Sequence, residues 1–382
     1  MKKSIYLILL TLVILPSCEY VSYREWALPE YDGELEWTNI TKKADWPERY
    51  DHAAVAYDNK LWIAGGYNPG QVKGDTYYED VWSSPDGENW TLVTADAPWK
   101  GRRGHELVAF DDGSGEAMYL IGGFTVDEES GYRQFNNDVW KSEDGINWTE
   151  IKPRNYLSNT DGTDWIPRMY HKCVIADHGG TSYIYLTGGR AMMENKPARH
   201  SMLYFSDVWR STDGMIWEKL AADDYGMRAL HASAVDPATG RIYIQGGTYG
   251  VIIDSDGNRD HPVAGWQKLW YSDDGINWIS ESNTSVVSNS YLFRQSHQMV
   301  FYKDKLWSLP GATFSTEHYH FTQNQYITTW TYAAGDIWNI DSEGTDIDAR
   351  HGYSTVLFNN KIWVLGGFTN SCAQSNDVWC AE

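Results

Sequence analysis

Six arginines stand at matching places along this 382-residue chain: Arg49, Arg102 or Arg103, Arg168, Arg228, Arg294 and Arg350. A guanidinium is planar, always charged and presents a fork of donors, so a ring of them would suit carboxylate or sulfate groups. The same side chains could instead pair with the Asp of a recurring segment, Asp80-Val81-Trp82 being the first instance, and hold the fold together. In the fourth unit Lys268 stands where that Asp is expected, so Arg228 is the arginine expected to stay unpaired.

Two stretches depart from the repeat and add other chemistry. Residues 190–205 carry Arg190, Arg199, His200 and Tyr204. Residues 313–334 carry Glu317-His318-Tyr319-His320 with Tyr326, Trp330 and Tyr332. In an extended chain His318 and His320 project to one side. Such a pair could ligate a metal, or one imidazole could serve as a base beside a Tyr acid, or both could simply pack the loop. Tyr67, Tyr77, Tyr78, Tyr132 and Tyr249 fall in equivalent loops and offer ring faces suited to sugars. The expected ligand-binding set is therefore Arg168, Arg190, Arg199, His200, Tyr204, Arg228, Arg294, His318, His320 and Arg350. No catalytic residue stands out, and neither a cofactor nor a metal is expected. Asp254-Ser255-Asp256-Gly257-Asn258 supplies oxygen ligands but lacks the distal Glu of an EF-hand, and reads as a hairpin tip.

These residues need a scaffold, and the repeat describes it. A His falls in each unit, at His52, His105, His171, His231, His297 and His351. An apolar run and a glycine pair follow: Gly65-Gly66, Gly122-Gly123, Gly188-Gly189, Gly246-Gly247 and Gly366-Gly367. The fifth unit has drifted to Leu306-Trp307-Ser308-Leu309-Pro310-Gly311. A variable loop leads to a third strand, such as Asp138-Val139-Trp140, Asp207-Val208-Trp209 or Asp377-Val378-Trp379. Four units continue through an Asp-Gly hairpin turn to Trp90, Trp148, Trp217 and Trp278. Short alternating strands between such turns predict four antiparallel strands per unit. Strand alternation puts the Arg, the glycine pair and every long loop on one face, and the Asp-Gly turns on the other. Binding residues concentrate on loops held by a rigid scaffold.

This pattern resembles the kelch repeat, marked by a double glycine closing the second strand and by aromatic third and fourth strands. The resemblance runs from about Leu35 to Trp379 and implies an all-β, six-bladed kelch-type β-propeller over residues 34–382. The last unit stops after its third strand. Leu35-Glu36-Trp37-Thr38-Asn39-Ile40 matches the fourth strands of other units, so an N-terminal strand around Trp37 is expected to close the ring.

The N-terminus reads as a targeting signal. Lys2 and Lys3 precede an apolar run from Ile5 to Ile14, too short to span a bilayer as a retained helix. Leu15-Pro16-Ser17-Cys18 resembles the lipobox of bacterial lipoproteins, which implies cleavage after residue 17 and acylation of Cys18. Residues 18–33 then form a tether, and Glu19 leans toward the outer membrane. Removing Lys2 and Lys3 takes the net charge from −21 to −23, which argues against nucleic acid or an anionic membrane surface as partner. Cys173 is expected to pack as a small hydrophobe, and Cys372 with Cys380 to stay unbridged.

Three functions compete. The first is a lipid-anchored, monomeric envelope protein binding a carbohydrate or other small polar ligand on the loop face. The second is a carbohydrate-active enzyme, a sugar mutarotase or epimerase or a uronate lyase, using loop His, Tyr and Arg. The third is a scaffold for an envelope protein. A copper radical oxidase of the galactose oxidase type needs a Cys-linked Tyr that no segment here supplies.

Overall fold

Each repeat unit folds as one antiparallel sheet. The computed structural model describes residues 35–70, 76–126, 131–155, 163–192, 202–222, 225–249, 263–264, 268–281, 294–314, 321–323, 328–332, 339–343, 347–348, 350–369, 371 and 373–382. Within them lie five four-stranded sheets, each from one unit, and a five-stranded sheet that joins the first and last described strands. The first runs Ala53–Tyr57, Lys60–Ala64, Val81–Ser84 and Thr91–Thr94. The five-stranded sheet takes its outermost strand, Trp37–Thr41, from the N-terminus. That strand pairs antiparallel with Gln374–Ala381, Trp37 lying opposite Ala381, as the repeat pattern required.

The innermost strands neighbour one another in a closed cycle. Ala53–Tyr57 lies beside Glu106–Asp111, then follow Lys172–His178, Ala232–Val235, Met299–Tyr302 and Ser354–Phe358, which returns to the first. The sheets stand as radial blades, and the chain is an all-β propeller of antiparallel blades. Between blades lie the apolar layers, for example Trp62, Trp99, Leu107, Met118 and Trp148 between the first and second. Cys173 is a buried free thiol in the next such layer, and Cys380 is also buried and free. Cys372 lies outside the described residues.

The double glycine has a steric cause on each side. At Gly65 (φ +64°) a Cβ would lie 2.6 Å from His105 Cε1 of the following blade. At Gly66 (φ +106°) it would lie 2.8 Å from His52 Cβ of its own blade. Each histidine is thus clasped by two glycines, and the same pair of approaches recurs at Gly122-Gly123, Gly188-Gly189 and Gly246-Gly247. The fifth unit departs for a reason visible across its boundary. Pro310 stands in place of its first glycine, and the side chain it faces in the next blade is Tyr353, whose Oη donates to Pro310 O at 2.5 Å. Tyr353 is the sixth member of the histidine series, since a Cβ at Gly367 would lie 2.7 Å from Tyr353 Cβ. The assignment of His351 to that series is corrected: it stands two residues earlier and faces elsewhere.

Burial holds these histidines neutral. His52 and His105 are lowered to about 3 by desolvation, reinforced by Arg49 and Arg102 respectively. His171, His231 and His297 fall well below their ordinary value for the same reason. An unfolded chain would protonate all five near pH 6.5, so between about 3 and 6.5 the unfolded state holds more protons. Stability is therefore complete above pH 6.5 and lost as pH falls. Unfolding at pH 5 should take up at least about five protons, read from calorimetry in buffers of differing ionisation heat; uptake near zero would refute neutral burial. Gly123→Ala, with a Cβ 2.7 Å from His105 Cβ and φ +101°, should lose stability in urea titrations. The loss should be about 3 kcal/mol or more, against about 1 kcal/mol for Gly113→Ala in open space.

Candidate functional site

Four of the repeated arginines are locks. Arg49 is fully buried and reaches Asp80 through two hydrogen bonds, Nη1 to Oδ1 at 2.5 Å and Nη2 to Oδ2 at 2.8 Å. Nη1 also donates to Gly65 O at 2.8 Å and Nε to Pro47 O at 3.0 Å. Arg102 grips Asp138, Arg168 grips Asp207 and Arg350 grips Asp377 in the same way. Each Asp also accepts from the indole of the Trp two residues on, and Asp377 accepts from Ser375 Oγ as well. Burial pushes the Asp138, Asp207 and Asp377 carboxyls up, but their arginines outweigh it and hold all three below the usual range.

This corrects the expected ligand set. Arg168 and Arg350 are buried with their donors already spent on Asp207 and Asp377, so neither faces a ligand. Arg228 is not left unpaired: it is fully buried and donates to the carbonyls of Tyr225, Gly226 and Gly246. Arg294 is buried as well, reaching Ser308 O and Leu309 O, and desolvation lowers it to about 10. Arg199, His200, His318 and His320 lie outside the described residues, as do Cys18 and Asp254-Ser255-Asp256-Gly257-Asn258. Arg190 and Tyr204 are brought together, opposite one another in a two-stranded hairpin on the loop face.

What reaches the central mouth is the pair of residues between each Arg and its His. The second of the pair has a left-handed backbone in every unit: Asp51, Gly104, Tyr170, Leu230, Ser296 and Gly352, with φ between 53° and 62°. Four of these are not glycine, a strain of about 1 kcal/mol or more each. The conformation aims five of these N–H groups at the neighbouring unit. Asp51 N donates to Gly352 O, Gly104 N to Asp51 O, Tyr170 N to Gly104 O, Leu230 N to Tyr170 O and Ser296 N to Leu230 O. Backbone bonds running from unit to unit thus floor the mouth. The first residue of each pair bridges to the one after the double glycine, as Tyr50 does to Tyr67 and Arg103 to Phe124. Varied side chains are therefore carried on a fixed frame.

On one side of that frame the side chains form a dense aromatic and charged group. Tyr50 packs on Tyr67 (5.4 Å), Phe368 (5.5 Å) and His351 (6.1 Å). Tyr67 continues to Tyr77 at 4.8 Å and Tyr77 to Phe124 at 6.0 Å. Arg103 lies over this wall, its Cζ 4.4 Å from the Tyr67 centroid and its Nη1 3.9 Å from Asp51 Oδ2. Tyr170 Oη donates to the same Asp51 oxygen at 2.5 Å, and Arg190 stacks over the Tyr170 ring at 4.8 Å. Burial raises the Tyr50 and Tyr170 phenols, so both stay protonated as donors. Burial opposes the charge of Arg103, but Tyr170 and Asp51 outweigh it and hold that guanidinium charged. Desolvation keeps His351 below its ordinary value. The group can stack on a ring, donate from phenols and offer positive charge. Among the described residues no three His, Cys, Asp or Glu side chains are placed to hold a metal.

The Kelch motif family matches residues 349–380. The solved structure of YjhT superposes with a TM-score of 0.60 at 16% identity, covering 89% of this chain and 96% of that one, a likeness of fold. The flagellar outer-arm dynein alpha chain of Chlamydomonas reinhardtii is 26% identical over 48% of this chain. The Rho GTPase-activating protein gacHH of Dictyostelium discoideum is 28% identical over 41%. These matches span only 4% and 9% of those two proteins' own lengths.

The two kinds of arginine should separate in stability measurements. Asp138→Ala leaves Arg102 buried without its carboxylate and should cost about 3–5 kcal/mol. Arg103→Gln, at the mouth, should cost about 1 kcal/mol. Equal losses in chemical denaturation would contradict the division into locks and mouth residues.

Proposed function

We propose that this chain, a kelch-repeat β-propeller, closes as six blades and binds a carbohydrate at the mouth on its loop face. The five-stranded sheet counts as the sixth blade, because its inner strand completes the cycle between the fifth and the first. The observation that carries the ligand reading is the half-buried Tyr50, Tyr77 and Phe368, backed by the buried Tyr67 and Phe124, with protonated phenols and a stacked Arg103 at one mouth. Sugar rings present apolar C–H faces and a rim of hydroxyls, and such a wall meets both needs. Binding is the reading taken here, because Asp51, the carboxylate of the described group, is engaged by Tyr170. A lipid anchor at Cys18 would hold the domain at a bacterial envelope membrane, in keeping with the lipobox-like sequence.

Calorimetry on the mature protein against a panel of neutral and acidic saccharides tests the ligand. Binding is expected, weakened about tenfold by Tyr77→Ala, or about 1.4 kcal/mol. Silence across the panel from protein with intact near-UV dichroism would end the carbohydrate reading. For the anchor, Cys18→Ser should abolish incorporation of labelled palmitate and leave an uncleaved precursor.

A further inference from the structure

The guanidiniums of this propeller fall into two populations. The locks have their donors filled by carboxylate oxygens and carbonyls, as Arg102 has with Asp138 and Gly122. Among the described residues, Arg103 and Arg190 find no hydrogen-bond partner for their side chains. Their contacts are ring faces, plus Asp51 at 3.9 Å from Arg103, and both Nε–H groups are buried without a partner there. A charged donor withdrawn from water and left unfilled costs free energy that a fold does not spend on its own stability. Stacking on Tyr67 and on Tyr170 fixes each guanidinium in place while its hydrogen-bonding edge stays uncommitted.

We infer that the mouth takes an anionic ligand, whose carboxylate or sulfate group sits against Arg103 and Arg190. The inference deepens the carbohydrate reading and rests on the mouth it places, but its chemistry is separate. Tyr170 ties the two cations together: Arg190 stacks on its ring, and its hydroxyl holds Asp51 toward Arg103. Asp51 is the carboxylate the described group contributes, so one negative charge stands against two positive ones. The surplus is local. The chain as a whole carries −21, a field that repels anions at long range. Screening over about 8–10 Å confines that field, and inside the mouth the nearest charges decide. A planar oxyanion would fill the empty donors, and the wall would take the ring that bears it.

The test is calorimetry on the mature protein with glucose, glucuronate and glucose 6-sulfate, at low and at about 0.5 M salt. Wild type should bind the acidic sugars at least tenfold tighter than glucose, with salt eroding the difference. Arg103→Gln and Arg190→Gln should each remove about a factor of ten from the acidic sugars and weaken glucose by much less, so that the acidic preference shrinks. Equal affinity for glucose and glucuronate, untouched by either variant, would overturn the anion seat and leave carbohydrate binding standing. Should no sugar bind, the thermal shift with inorganic sulfate decides: an Arg103-dependent rise in Tm supports the anion seat and ends the carbohydrate reading. No rise overturns both. A ligand-free Tm that falls far less in the two variants than in Asp138→Ala shows that the locks are intact.

Discussion

A buried guanidinium clamped by a buried carboxylate is the contact on which four of the repeat units hang. Arg49 with Asp80 links the strand-one approach to the start of strand three and, through Gly65 O, to the end of strand two. Three parts of one blade meet at a single side chain. Taking both charges out of water is expensive, and the Coulomb gain roughly repays it, so the pair adds little net stability over an apolar substitute. Its value is registry. A strand slipped by one residue would leave an arginine or an aspartate buried alone, and that state is several kcal/mol worse. The lock therefore discriminates against wrong pairings in a fold made of near-identical hairpins, where slippage is the obvious alternative.

The same logic explains how one boundary drifted without failing. Five histidines sit between paired glycines because each needs room on two sides. Between the fifth and sixth units the glycine and the histidine have both been replaced, by Pro310 and Tyr353, and a hydrogen bond joins the replacements. Either replacement alone would misfit its neighbour, whereas the coupled change keeps the interface filled. What reads along the sequence as decay of two separate units is one repacked contact.

This is also why the fold was legible and the site only partly so. Glycine pairs, Asp-Gly turns and Trp37 betray the blades, because steric demands at those positions admit few residue types. The ring of arginines was equally visible, yet repetition itself marks a structural duty, and Arg168 and Arg350 proved to be locks. The mouth residues lie between the repeated Arg and His, where the first positions Tyr50, Arg103, Met169 and His351 share no side-chain type. Their common feature is a left-handed backbone at the second position, which no pattern of side chains announces. Arg102 and Arg103 could not be told apart by spacing; one is saturated by Asp138 and the other rests on tyrosine rings. Variation inside an otherwise rigid motif was the available signal.

That separation of duties would let an acidic protein recognise an anion. Negative charge spread over the surface and the Asp-Gly turns keeps the domain soluble and does not reach far into a screened mouth. Had the locks supplied the binding charge, every ligand-specific change would have threatened the fold. Instead the frame fixes backbone bonds from one unit to the next, and the residues it presents can vary at small cost. Arg103 and Arg190 are held by stacking, which orients a guanidinium without consuming its donors. A hydrogen-bonded arginine is already satisfied; one held by ring faces is positioned and still open, and that difference turns a structural side chain into a reader.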